Sequence, residues 1–279
     1  MEVDFIGMPM NLGCGCSGVE RGTEEMRDIV FGSSRLHKWN DLGDIPCESW
    51  ADAVAGDDLL PYITGICHAC CRLRDVVAHS LNHGHFPFIA GGDHVLSWGS
   101  LSGVLNAVDN PQCLYIDAHG DFNAAAWSPS HNVHGMHMCY LLGFDEMPVA
   151  GVIQNNRYLS PANVFFSGTR SLDCYERQMA DAFNLKMSRG YPDYLNGSEN
   201  LHISFDVDVL DPAVAPGTGV PEPDGLMLDE AMNVLSEAFR RNKVVSFDLV
   251  EFNPSLDVEG RTRKVVDEVI YRLDNDLLP

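Results

Sequence analysis

A chain of 279 residues carries 18 lysines and arginines against 40 acids, a formal net charge of −22. That balance excludes nucleic acid and anionic membrane surfaces as partners, since both require basic surface. The length suits one domain spanning residues 1–279, and no linker-like tract, charge block or repeat divides it.

The start, Met1-Glu2-Val3-Asp4-Phe5, puts acids where a signal peptide needs basic and apolar residues. No run approaches a membrane span, and nine scattered cysteines read as reduced thiols, so a cytoplasmic protein is expected. Val3 to Ile6 reads as a strand, Thr23 to Val30 as a helix, Trp39 to Leu42 as a strand and Leu59 to Asn82 as an amphipathic helix. Cys67 and Cys70 in that helix form a CxxC with no second CxxC downstream, which favours buried helix cysteines over a zinc site.

Strand Phe86 to Ala90 runs into Gly91-Gly92-Asp93-His94, and helix Trp98 to Ala107 follows. Strand Cys113 to Ile116 runs into Asp117-Ala118-His119-Gly120-Asp121. The connection from Asp121 to about Tyr140 is long and carries Asn123, Ser130, Asn132, His134 and His137. Loops of that length in compact domains are usually functional. Strand Val164 to Ser167, helix Tyr175 to Asn184, strand Leu201 to Val207, helix Leu228 to Arg240, strand Val244 to Leu249 and helix Arg261 to Asp274 complete the chain. Alternation of this kind is the mark of an α/β fold with parallel strands joined by crossovers.

The Leu201 strand drives into Asp206 and Asp208, two residues apart; on an extended chain both would lie on one face. With Asp117, Asp121, His94 and His119 they offer four carboxylates and two imidazoles at three strand ends, enough for two divalent metals. Oxygen-rich ligation with some imidazole favours manganese over zinc or copper. Two such ions can share one water, lower its pKa toward neutrality and aim it as hydroxide, so the expected chemistry is metal-assisted hydrolysis.

GGDH at 91–94, DAHGD at 117–121, HNVHG at 131–135, SFDVDVLDP at 204–212 and VEFNPSLD at 250–257 resemble, in order and spacing, the ureohydrolase superfamily of arginases and agmatinases. The resemblance spans most of the chain. It implies a three-layer α-β-α fold with a mainly parallel eight-stranded sheet and two Mn2+ per chain. It implies that His94 and Asp121 serve one ion, that His119 and Asp208 serve the other, and that Asp117 and Asp206 bridge. Asp121 would also accept a hydrogen bond from the bridging hydroxide. His134 matches the histidine of proton transfer to the departing amine, and Glu251 the acid that pairs with the substrate guanidinium.

Asn123, Ser130 and Asn132 stand where arginases present neutral donors to the α-carboxylate, and Asp173 and Glu176 where they receive the α-amine. The implied substrate is a small guanidino molecule, L-arginine, giving L-ornithine and urea. Agmatinase or formimidoylglutamase is the alternative within the same chemistry, and a catalytically silent regulatory relative is the alternative outside it. A homo-oligomer, trimer or hexamer, is also implied. The chain departs from the arginase pattern at Ser171 (commonly an acid), Val220 (threonine), His131 (glycine) and His137 (proline), and PGTGVPEPDGL at 216–226 reads more like agmatinases.

Overall fold

A computed structural model describes residues 1–48, 53, 60–146 and 151–279. The strands are β1 (Glu2–Met8), β2 (Lys38–Asp44), β3 (Phe86–Gly91), β4 (Gln112–Ile116), β5 (Val164–Ser167), β6 (Lys186–Ser188), β7 (Leu201–Asp206) and β8 (Val244–Val250). The helices are α1 (Gly22–Phe31), α2 (Ile63–Asn82), α3 (Leu96–Ala107), α4 (His137–Leu141), α5 (Cys174–Phe183), α6 (Leu228–Arg241) and α7 (Arg261–Arg272).

The strands form one eight-stranded sheet in the order β2-β1-β3-β8-β7-β4-β5-β6. All pairings among them are parallel. Side chains alternate across it, and each face has its own core. On one face Ile6, Ile89, Cys113 and Phe166 pack with Ile66, Leu73, Trp98 and Leu101 of α2 and α3. On the other, Phe5, Phe88, Ile203 and Phe247 pack with Met26, Leu235, Val266 and Val269 of α1, α6 and α7. The result is the three-layer α-β-α arrangement that the resemblance implies. Cys67 and Cys70 are buried in the first core, as helix cysteines should be.

Several boundaries differ from the sequence reading. The Leu59 end of the expected long helix lies outside the described residues. β6 is absent from the sequence reading: Lys186–Ser188 is only three residues long, half-buried, and sits at the sheet edge, so it lacks an apolar run. α4, five residues inside the long loop, is absent from it too. β7 stops at Asp206, and Val207–Val209 is a 3-10 turn rather than strand.

Strands β3, β8, β7 and β4 are neighbours in the middle of the sheet, so the segments after Gly91, Val250, Asp206 and Ile116 emerge side by side at one sheet end. Ligands of open parallel sheets collect in such a place.

Candidate active site

The turn after β3 brings His94 inward. Gly92 allows it, because a Cβ there would stand 1.9 Å from the Met10 carbonyl oxygen. Asp93 turns the other way: its carboxylate accepts from the Gly13 N–H at 2.8 Å and the Val95 N–H at 3.1 Å, anchoring the segment after β1. His94 Nδ1 lies 2.8 Å from Asp117 Oδ2, 3.0 Å from Asp206 Oδ2 and 3.3 Å from Asp121 Oδ2. His119 Nδ1 lies 2.9 Å from Asp208 Oδ2 and 3.5 Å from Asp117 Oδ1.

Three groupings close enough to hold metal result: His94 with Asp117 and Asp206, Asp117 with His119 and Asp208, and His94 with Asp121 and His137. Asp117 is common to the first two. The extended-chain expectation for Asp206 and Asp208 needs correcting. The chain turns after Asp206, whose Oδ1 accepts the Asp208 N–H at 2.7 Å. That 3-10 turn points the two carboxylates at adjacent positions instead of along one strand face.

All four carboxylates are buried. Burial, then Asp208 and Asp117, pushes Asp206 well above the usual carboxylate range. Burial with the nearby Asp117 raises Asp121 to about 7. Burial alone would lower His94, but Asp117 and Asp206 outweigh it and hold the imidazole well above its ordinary range. Asp117 Oδ2 is buried with no partner in hydrogen-bonding geometry, although His94 Nδ1 is close by. Clustered buried carboxylates of this kind are costly without cations. The donors and the unpaired oxygen fit a pair of divalent ions.

His94 is braced from behind. Its Nε2 lies 2.8 Å from Ser204 Oγ, Ser204 Oγ lies 3.0 Å from Ser97 Oγ, and Ser97 donates to Asp248 Oδ2 at 2.8 Å. With Nε2 engaged by Ser204, Nδ1 is the nitrogen turned toward the carboxylate cluster, and it is the atom that would face a bound ion. Tyr115, Ser204 and Asp248 are register partners across β4, β7 and β8. None stands out in the sequence, yet Tyr115 and Ser204 each lie two residues before an aspartate of the cluster, and the period of two would have placed them on its face.

A cavity of about 250 Å³ opens above the cluster. His134 and Glu251 stand on its wall, with His134 Nδ1 at 2.9 Å from Glu251 Oε1. The same oxygen accepts from the His94 N–H at 2.8 Å. Asn123, Ser130, Asn132, Asp173 and Glu176 also line it, so every residue named from the sequence reaches this cavity or the cluster beneath. Their contacts differ. Asn123 Nδ2 donates to Asp173 Oδ2 at 2.6 Å, and Ser130 Oγ accepts the Asn132 N–H at 3.2 Å. Glu176 Oε2 accepts the Asp173 N–H at 2.8 Å in a capping box at the start of α5, and Oε1 accepts the Phe122 N–H at 3.1 Å. Burial raises its carboxyl to about 7. Both Glu176 oxygens thus serve the backbone, which ties the site loop to α5.

The sequence profile of the Arginase family matches residues 1–274. The chain belongs to this family. An arginase of Bacillus caldovelox is 34% identical over 286 residues, covering 94% of each chain. One from Bacillus subtilis (strain 168) is 31% identical over 288 residues, covering 97% of each. The native structure of the Bacillus caldovelox arginase at pH 5.6 matches with a TM-score of 0.86 at 32% identity, over 99% of each chain.

Of the positions that depart from the arginase pattern, Ser171 and Val220 line the cavity and His137 stands in the cluster beneath it. Ser171, where arginases commonly have an acid, donates to Glu222 Oε1 at 3.1 Å, so a carboxylate reaches that wall from the opposite loop. Glu222 also lies 3.6 Å from His119 Nε2, a buried nitrogen with no hydrogen-bond partner. His131 occupies the left-handed region at φ 56°, a conformation that favours glycine. His137 is fully buried beside His94, their ring centroids 5.0 Å apart.

Proposed function

We propose that this arginase-family hydrolase cleaves the guanidino group of L-arginine to L-ornithine and urea, using two manganese ions per chain. One observation carries the reading: a single cavity has the buried His/Asp cluster at its base, the His134–Glu251 pair on its wall and neutral amide and hydroxyl groups with Asp173 at its rim.

His94, Asp117, Asp121 and Asp206 would hold one ion, and His119, Asp208 and Asp117 the other, with Asp206 reaching toward both. When bound, such a pair supplies Lewis acidity and an attacking water of lowered pKa. The chain's own groups do the rest. Glu251 keeps Oε2 for the guanidinium while Oε1 holds His134. Glu251 overcomes the effect of burial and raises His134 to about 9, so the ring is protonated at neutral pH and can deliver a proton to the departing δ-nitrogen. At the rim, Asn123, Ser130 and Asn132 would face the α-carboxylate, and Asp173, assisted by Glu176, the α-amine.

The substrate is a small molecule, and no described helix is long and apolar enough to cross a membrane. A cytoplasmic homo-oligomer, trimer or hexamer, completes the reading. All nine cysteines are unpaired, which agrees with a reducing compartment.

The test is release of urea and ammonia by manganese-loaded protein from L-arginine, agmatine and formimino-L-glutamate. Urea and ornithine in equal amounts from L-arginine, with the highest kcat/KM of the panel, is the expected result. Preference for either other compound overturns it.

A further inference from the structure

Two buried side chains beside the cluster have no part in the chemistry described above. Tyr115 and His137 are both fully buried. The Tyr115 hydroxyl donates to Asp121 Oδ2 at 2.6 Å and lies 3.1 Å from His137 Nε2 and 3.1 Å from His94 Nδ1. Its ring stacks on His94, centroids 4.8 Å apart and planes within 4°. His137 Nδ1 lies 2.7 Å from the carbonyl oxygen of His134, which can only accept. Nδ1 therefore carries the hydrogen, and in the neutral ring Nε2 offers a lone pair toward the phenol.

The grouping of His94, Asp121 and His137 is thus centred on the Tyr115 oxygen, not on a vacant position. One phenol hydrogen serves one acceptor, and at 2.6 Å Asp121 Oδ2 takes it, while His137 Nε2 and His94 Nδ1 each lie 3.1 Å from the same oxygen. A length of 2.6 Å is that of a charge-assisted O–H to carboxylate bond. Moving the phenol away would leave the buried Asp121 carboxylate oxygen short of its donor, a desolvation cost. His137 in turn is tied to the backbone of the very residue that pairs with Glu251.

We propose that the Tyr115 hydroxyl, flanked by His137, positions Asp121, and so sets the affinity of the metal position shared by His94, Asp117, Asp121 and Asp206. The inference rests on the two-metal reading. A hydrogen bond to a ligating carboxylate fixes which oxygen faces the ion, and loss of such support costs roughly 10- to 100-fold in metal affinity.

The experiment is a calorimetric titration of metal-free full-length protein with Mn2+, paired with the electron paramagnetic resonance signal of the spin-coupled ion pair. Tyr115→Phe keeps the ring on His94 and removes only the hydroxyl. It should raise one of the two dissociation constants by roughly 10- to 100-fold. The other should change by less than about threefold, so that at limiting Mn2+ uncoupled signal replaces coupled signal. His137→Ala removes only a competing acceptor of the same hydroxyl, so it should leave that constant within about threefold or lower it, and the double variant should bind as Tyr115→Phe alone does, because both changes act through one hydroxyl. If Tyr115→Phe binds both ions as the unchanged protein does, the proposal is wrong. Complete loss of one ion in His137→Ala with Tyr115→Phe unaffected would make His137 a direct ligand and also overturn it. Failure of the unchanged protein to bind two ions would bring down the two-metal reading along with it, an outcome the titration separates from the other two. Where His137→Ala does not fold, Tyr115→Phe decides alone.

Discussion

His134 and Glu251 come from two unrelated segments and meet at 2.9 Å, nitrogen to carboxylate oxygen, with Glu251 held at φ 62° in the left-handed region. A non-glycine residue there carries a conformational cost, and the chain bears it where the carboxylate must also reach the His94 N–H. The contact raises His134 to about 9 against the effect of burial, and in return it lowers Glu251. His134 is therefore charged below that value and neutral above it. The rate should climb from neutral pH as the attacking water loses its proton, then fall as His134 deprotonates. His134→Asn should lower kcat by about 100-fold or more. It should change KM by no more than about threefold, and the falling limb should disappear. A variant that keeps the falling limb assigns it to another group.

Metal content can be predicted from the groupings. Asp117 is the carboxylate common to two of them, whereas Asp208 belongs to one. Elemental analysis after manganese loading should approach two ions per chain. Asp117→Ala should lose both, and Asp208→Ala or His119→Ala should retain one. A ceiling of one ion with full activity would exclude the two-metal site.

Much of this geometry is legible in the sequence because the clustered histidine and aspartates come at or soon after the ends of apolar runs: β3 into His94, β4 into Asp117, β7 into Asp206. A strand fixes the direction of the residues at its carboxyl end. The less legible parts depend on contacts between distant segments. Glu222 gains meaning only when its loop lies against Ser171, and His137 only when α4 packs beside β4. The mutual aim of Asp206 and Asp208 comes from a single turn that the strand-like residues Val207 and Val209 conceal. β6 escapes a reading of apolar runs because an edge strand need bury little.

Discrimination between arginine and agmatine should reside at the rim. A site whose donors are made for a carboxylate leaves them unpaired when the ligand lacks one, at about 1 to 3 kcal/mol per unmet group. Agmatine should therefore show at least about tenfold lower kcat/KM. Asn132→Ala should erode arginine turnover while leaving agmatine turnover nearly unchanged. Equal or better kcat/KM with agmatine in the unmutated enzyme would instead direct attention to Glu222, whose carboxylate stands beside Ser171 on the same wall.

His131 tests a cost within the site loop. At φ 56° its side chain strains the backbone, and its Nδ1 is buried without a partner. His131→Gly removes both penalties. The gain from relieving a left-handed residue is about 1 to 2 kcal/mol, offset by about 0.5 to 1 kcal/mol of extra freedom in the unfolded chain. A higher Tm in calorimetry is the expected outcome. A clearly lower one would mean that the imidazole makes a stabilising contact elsewhere in the loop.

Asp274 offers a stability prediction far from the His/Asp cluster. Its fully buried carboxylate accepts from the Trp39 Nε1–H at 2.8 Å, the Leu36 N–H at 2.7 Å and the His37 N–H at 3.2 Å, fastening the chain's last turn to the start of β2. Burial alone would raise its pKa, but these donors, Trp39 foremost, hold it below the ordinary 3.8. A carboxylate with a depressed folded pKa contributes stability that is fully present above the unfolded value. That contribution is lost as pH falls through the folded one. Asp274→Asn swaps the charged acceptor for a neutral amide whose NH2 would face donors, and should cost about 1 to 3 kcal/mol. The Tm gap between the two proteins should be constant from about pH 5 to 8 and narrow in more acid solution. A gap that persists undiminished well below pH 3.8 would mean that packing, and not the carboxylate charge, is what Asp274 contributes.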